Sequence, residues 1–191
     1  EYQHAQQWLT YTYQHADQFF SESMSIDVAI DLYRSRLFCS ETDFDEFRSA
    51  VLRRIENSSS FEENSNYLCF LRTCCAEFLT QWKQGAVPSE KLNSLLQLLL
   101  KKTRTYVEQK NDQYSLFSAV YCQLIFENRK EHTENAGKLL DELAKIVPTA
   151  DETHDDRKKQ ERWIQYMEQR LYYLCLMELS EQVIETANEL I

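Results

Sequence analysis

The chain has 191 residues, a formal net charge of −10 and 43% hydrophobic residues, which is too apolar a composition for a disordered protein. It contains two glycines and two prolines, whereas the two residue types together ordinarily make up about 12% of a protein. Turns of types II, I′ and II′ need residues with positive φ, most often glycine, so the composition argues against a sheet-rich fold. The same scarcity excludes P-loop, dinucleotide-binding and nucleophile-elbow motifs, which contain closely spaced glycines.

Apolar residues recur at three- and four-residue intervals along nearly the whole chain, which predicts an all-α fold. Gly85 is well placed to end one of these helices, and Thr42 with Asp45 is typical of a helix start. In the first half of the chain, the pattern predicts four helices, over residues 2–20, 26–38, from the Thr42 cap to Asn57, and over 67–82.

The second half is predicted to be helical as well. Pro88 and Ser89 open a leucine-rich helix that reaches Lys110, and its leucines cover most of its circumference, which predicts a central position. Pro148 ends a later helix, and Thr153 with Asp156 forms a possible cap before the next. Four helices are predicted after the leucine-rich one, over residues 114–128, 133–147, 157–179 and from 180 onward.

About nine helices joined by short loops predict antiparallel neighbours in a single all-helical domain over residues 1–191. Many helices of similar length favour an irregular, solenoid-like stack of helix pairs, with a closed helical bundle as the alternative. The tetratricopeptide pattern is only half matched: Ala136 and Pro148 fit it, whereas Val120 and Glu127 do not, so no family is assigned. Because the chain starts at Glu1 and ends on apolar residues, we expect it to be part of a longer protein.

No arrangement of residues predicts an enzyme, a metal site or a cofactor. The four histidines are far apart, and the sequence contains neither a His-x-x-x-His nor a Cys-x-x-Cys pair. The six cysteines stand mostly among apolar residues, so we expect reduced, buried thiols in an intracellular protein, either cytoplasmic or nuclear. No run of about 18 apolar residues predicts a membrane span.

A basic segment stands out in this acidic chain. Residues 91–130 carry seven basic and three acidic side chains. Lys101, Lys102, Arg104 and Lys110 are concentrated in the leucine-rich helix, with Tyr106 among them as a possible aromatic anchor. These five residues are the predicted partner-binding site. The alternative interpretation is a favourable interaction between basic side chains and the dipole at the end of the helix.

The sequence therefore predicts a protein–protein interaction domain, a scaffold or adaptor within a larger intracellular protein of a multiprotein complex. Its partner would be a helix or an acidic peptide held between helix pairs. The alternative is a helical RNA-processing or translation-factor module that contacts nucleic acid through the basic helix, although the net charge of −10 disfavours nucleic acid. The predicted core comprises Leu71, Cys74, Phe78, Leu96, Leu99, Phe117, Val120 and Leu143.

Overall fold

The computed structural model describes residues 2–19, 26, 28–32, 44–56, 66–110, 112–153 and 156–190. Nearly all of them are helical and none is in a strand, so the all-α prediction is confirmed. Residues 26 and 28–32 are helical, and Ala150–Thr153 form a short 3-10 helix. The longer helices are α1 (Tyr2–Phe19), α2 (Phe44–Glu56), α3 (Asn66–Lys83), α4 (Glu90–Lys110), α5 (Gln113–Arg129), α6 (Thr133–Leu143), α7 (Arg157–Leu176) and α8 (Ser180–Leu190).

Two compact units make up the chain, Glu1–Tyr106 and Val107–Ile191. No local pattern marks this boundary, because α4 runs through it without a proline, a glycine or a change in helical periodicity. Whether the helices of the whole chain form a solenoid or a bundle stays a prediction. Two predicted features, the Thr42 cap and the helical stretch over 33–38, lie outside the described residues.

The core of the first unit forms between helices whose apolar stripes the sequence predicts. In α4, Leu92, Leu96 and Leu99 are buried, whereas Leu95 is half-buried and Leu98 is 37% exposed. The fully buried leucines therefore lie on one face of the helix, and packing on more than one side stays a prediction. The other fully buried apolar residues of this unit include Ile26, Ala29, Ile30, Leu32, Val51, Ile55, Phe70, Leu71 and Cys74.

A buried ion pair joins α2 to α3. The Arg48 guanidinium donates to the Glu77 carboxylate, and both side chains are almost fully buried. The Gln81 amide, one turn further along α3, donates to the same carboxylate over 2.7 Å. Two buried charges of opposite sign, each hydrogen-bonded, fix the position of α2 on α3, because separating them would leave a charge buried without its counter-ion.

The second unit consists mainly of two helical hairpins, α5–α6 and α7–α8. Asp112 caps α5, since its carboxylate accepts the backbone N–H groups of Tyr114 and Ser115. Tyr166 and Tyr173 of α7 pack against the core of the first hairpin. That core comprises Phe117, Val120, Leu124, Ala136, Leu139, Leu140 and Leu143.

Three of the described helices end in the same kind of turn. The residues after α3, α5 and α7 include one with positive φ: Gly85 (72°), Glu131 (58°) and Glu178 (58°). In each turn the next N–H bonds back five residues: Ala86 to Gln81, His132 to Glu127 and Leu179 to Leu174, over 2.9 to 3.1 Å. This is the Schellman arrangement, which satisfies carbonyl groups that a helix end leaves without partners.

These turns and caps correct several predicted boundaries. The predicted end of α7 at Leu179 is wrong, because the Glu178 turn ends the helix at Leu176. Likewise α6 ends at Leu143, and the residues up to Val147 form turns. Asp156, not Thr153, caps α7: its carboxylate accepts the N–H groups of Lys158 and Lys159.

The predicted core is confirmed at all eight positions, which are buried. The expectation for the cysteines holds only in part. Cys74, Cys75 and Cys122 are buried free thiols, Cys69 is half-buried and Cys175 is exposed. Cys39 lies outside the described residues.

Candidate partner-binding site

The five residues predicted to bind a partner lie on α4 in different environments. Lys101 and Lys102 are exposed, whereas Arg104 and Tyr106 are half-buried. Lys110 is the last residue of the helix, and its side chain lies outside the described set. The structure therefore places two of the five, Lys101 and Lys102, as neighbouring cations on the surface.

Helical geometry separates Arg104 from Lys102. Each residue advances about 100° around an α-helix, so side chains two positions apart point about 160° away from each other. The pattern of burial agrees, because Thr103 is buried between the two and Arg104 lies on the other flank of the buried face. Lys102 and Arg104 therefore do not belong to one continuous patch.

The helix dipole does not account for the two exposed lysines. The helix ends at Lys110, so Lys101 and Lys102 lie more than two turns before its carboxyl end. The dipole's effect on a charged side chain falls off within the last turn. The alternative interpretation in terms of charge and dipole therefore applies to Lys110 alone.

A groove of about 460 Å³ lies between α2 and α4, within the first unit. Leu52 of α2 and Leu95 and Leu98 of α4 supply its apolar surface. Leu98 is partly exposed, so its apolar side chain is accessible to solvent or to a ligand. The polar lining residues are Arg48, Ser49, Glu90, Lys91 and Ser94.

The groove and Lys102 lie along one face of α4. Lys91, Leu95, Leu98 and Lys102 follow one another at intervals of four, three and four residues, which places them in a row along a helix. Eleven residues separate the two lysines, or about 16 Å at the helical rise of 1.5 Å per residue. This face therefore presents two leucines between two cations.

Local interactions fix the start of α4 and so the direction of this face. The N–H of Leu92 donates to Ser89 Oγ over 3.1 Å, which makes Ser89 the capping residue. The Asn93 side chain donates to the carbonyl of Pro88 over 3.3 Å. On the opposite wall, the Arg48–Glu77 ion pair holds α2 in place. Both walls of the groove are thus anchored by polar contacts.

Sequence reasoning identifies Lys101 and Lys102 but misses Lys91 and the groove. The row of Lys91, Leu95, Leu98 and Lys102 was visible as a helical spacing, although the leucines were assigned to a central helix. The contribution of Ser49 and Leu52 depends on α2 lying beside α4, which no local pattern reveals.

Other kinds of site find no support among the described residues. Within them, no three His, Cys, Asp or Glu side chains come together as a metal ion would require. No helix in that part of the chain has the length and apolar character needed to cross a bilayer. Comparisons of the chain with protein-family models, curated proteins and solved structures found no match.

Proposed function

We propose that the protein is an interaction module that binds an acidic, amphipathic segment of a partner protein along α4, in its groove against α2. The observation that carries the proposal is the row in which Leu95 and Leu98 stand between Lys91 and Lys102. A partner helix would insert apolar side chains between α2 and α4, as helix-in-groove recognition does.

The charge of the groove's surroundings supports an acidic partner. Lys91, Lys101 and Lys102 are exposed, and Glu90 is the acid that lines the groove. Carboxylates that flank the partner's apolar anchors would meet these lysines at the ends of the apolar surface. Such rim charges act mainly on the rate of association and on the choice of partner.

The size of the groove is compatible with a few apolar side chains of a peptide. Pockets for drug-sized molecules span about 300 to 1,000 Å³ and enclose most of the ligand. This groove lies near the lower end of that range, and its exposed apolar lining residue among those described is Leu98. Two or three apolar side chains of a helix or extended peptide would occupy it.

The test uses a designed helical peptide with leucines at intervals of three and four residues, flanked by glutamates. Its binding to the full chain is measured by fluorescence anisotropy, beside a second peptide in which every glutamate is replaced with lysine. The affinity of the glutamate peptide should fall as salt screens the lysines and should depend on Lys101 and Lys102, whereas the affinity of the lysine peptide should not depend on these two residues.

Two variants locate the binding. Lys101→Glu with Lys102→Glu should weaken the glutamate peptide by about tenfold or more, and Leu98→Ala should weaken it through lost apolar contact. The matched control reverses two exposed lysines of the second unit, Lys145→Glu with Lys158→Glu, and should leave affinity unchanged. Arg104 is kept, because its side chain is half-buried and its replacement would disturb the fold.

Two outcomes would contradict the proposal. Equal loss of affinity in the control pair would indicate a general effect of net charge. Tight binding of single-stranded RNA with a steep salt dependence, abolished by Lys101→Glu with Lys102→Glu, would favour the nucleic-acid alternative instead.

A further inference from the structure

The two hairpins of the second unit can be aligned through their turns. Glu131 and Glu178 have the same φ of 58° and the same hydrogen bonds around them, and they are 47 residues apart. With this offset, four positions of α5–α6 correspond to four positions of α7–α8. Phe117, Leu124, Asn128 and Gly137 correspond to Ile164, Leu171, Cys175 and Ile184.

In the first hairpin, the residues at these positions pack against α7. The Asn128 amide donates to the carbonyl oxygen and to the side-chain oxygen of Gln169, over 3.3 and 3.2 Å. Gly137 faces the Tyr173 hydroxyl so closely that a Cβ there would lie 3.0 Å from it. Phe117 and Leu124 belong to the core against which Tyr166 and Tyr173 pack.

In the second hairpin, the corresponding positions are open. Ile184 is 63% exposed, Ile164 and Cys175 are exposed, and Leu171 is half-buried. Leu179 in the adjoining turn is exposed as well. We call Ile164, Leu171, Cys175, Leu179 and Ile184 the open face. A helix covers this kind of face on the first hairpin, so the open face has the form of a helix-docking surface.

The charges around the open face specify the partner. Glu168, Glu178 and Glu181 are exposed beside it, and residues 177–190 contain four acidic residues and no basic one. A symmetric contact between two copies would bring these acids against the same acids, which disfavours a second copy as the occupant. A partner helix with an apolar stripe would cover the leucines and isoleucines of the open face. Basic residues beside that stripe would pair with the carboxylates.

We propose that the open face docks an amphipathic helix with basic flanks from a partner protein, seated on α7–α8 as α7 is seated on α5–α6. This site lies wholly in the second unit and is independent of the groove proposed on α4. The apolar stripe of the partner would cover Ile164, Leu171 and Ile184, and its lysines or arginines would meet Glu168, Glu178 and Glu181.

The experiment uses the full chain and the lysine-flanked leucine peptide described above. Two readouts are taken: anisotropy for affinity, and the rate at which iodoacetamide alkylates Cys175, followed by mass spectrometry of the peptide that contains it. Binding at the open face should slow alkylation of Cys175, because the docked helix would cover the exposed thiol.

Variants distinguish this site from others. Ile184→Glu should weaken binding of the lysine-flanked peptide by about tenfold or more and abolish protection of Cys175, since the most exposed apolar side chain of the face is lost. Val87→Glu makes the same change at a valine that is 92% exposed in the first unit, and should leave both readouts unchanged. Lys101→Glu with Lys102→Glu should also leave them unchanged, so failure here is separable from failure of the α4 groove. Circular dichroism and a urea titration check that Ile184→Glu remains folded.

Three results would overturn the inference. The first is peptide binding that leaves the alkylation rate of Cys175 unchanged. The second is equal weakening by Val87→Glu. The third is sedimentation showing that the chain self-associates and that Ile184→Glu abolishes this, because the occupant would then be a second copy.

Discussion

Phe78 and Trp82 lie one turn apart on α3, and the sequence predicts both as members of one apolar stripe. In the structure Phe78 is fully buried, whereas Trp82 is 39% exposed. Helical periodicity specifies the face of a helix that turns inward, but not the point along the helix at which its neighbours stop covering it. Trp82 stands just before the Gly85 turn, where α3 ends.

The difference gives a matched pair of substitutions. Phe78→Ala should lower the free energy of unfolding by about 3–5 kcal/mol, through lost burial and the cavity left behind. Trp82→Ala removes a larger side chain but should cost clearly less, because much of its surface stays in water in the folded protein. Urea titration of both variants tests this, and equal losses would mean that α3 is not anchored by Phe78.

The turns at the helix ends show which helix boundaries can be predicted from sequence. Gly85 is recognisable in the sequence as a helix stop because glycine adopts positive φ without steric cost, and its φ in the structure is 72°. Glu131 and Glu178 adopt nearly the same conformation, although glutamate gives no sign of it in a sequence. The α5 boundary was still predicted within a residue, since Thr133 begins a new apolar stripe, whereas α7 was predicted too long.

We predict that glycine is preferred in all three turns. A residue with a side chain pays about 1–2 kcal/mol of steric strain at positive φ. Glycine avoids this strain, although its greater conformational freedom in the unfolded chain offsets part of the gain in stability. Glu131→Gly and Glu178→Gly should therefore raise stability slightly, and Gly85→Ala should lower it by about 1 kcal/mol. No atom lies within 4 Å of a Cβ built on Gly85, so the loss would come from the backbone alone.

A control for the turn prediction is Gln84→Gly, one residue before Gly85, where positive φ is not needed. It should be destabilising. Thermal unfolding of the four variants provides the measurement, and stabilisation by Gln84→Gly would contradict the explanation from backbone conformation.

The cap of α5 makes stability depend on pH. The Ser115 hydroxyl donates to the Asp112 carboxylate over 2.5 Å and, with the backbone N–H groups of Ser115 and Tyr114 and the charge of Arg162, lowers the pKa of Asp112 in the folded state. A carboxyl whose folded pKa is lowered stabilises the fold above its ordinary range of about 4, and this contribution is lost as the pH falls through the folded pKa.

Asp112→Asn should keep a capping oxygen while removing the titration, and Asp112→Ala should lose about 1 kcal/mol at neutral pH. The difference in unfolding free energy between the natural chain and Asp112→Asn should be largest above about pH 5 and shrink as the pH approaches 3. Urea titrations across this range test the expectation, and a difference that grows in acid would contradict it.

At the scale of the whole molecule, the helices were predictable and their grouping was not. The division at Tyr106 and Val107 falls inside α4, where the helical pattern continues unbroken. The α4 groove could not be predicted from helical periodicity either, because Leu52 and Leu98 come together only through packing between segments that are distant in sequence. Composition and periodicity describe faces of single helices, and the pairing of those faces is a property of the folded chain.

Because each unit has a core of its own, we predict that a core defect is felt mainly within its unit. Hydrogen exchange followed by mass spectrometry should show faster exchange in residues 66–83 of the Phe78→Ala variant, with residues 113–143 little changed. Leu124→Ala, in the core of α5–α6, should give the reverse pattern. Equal acceleration throughout in either variant would mean that the chain opens as one cooperative unit.

The contact between Gly137 and Tyr173 restricts which sequences can share this fold. A Cβ at position 137 would lie 3.0 Å from the tyrosine hydroxyl, but 3.5 Å from the ring carbon that carries it, which is ordinary van der Waals contact. Alanine at 137 is therefore compatible with phenylalanine at 173 and crowded against tyrosine. In related sequences, these two positions, 36 residues apart, should covary, with glycine at 137 accompanying tyrosine at 173.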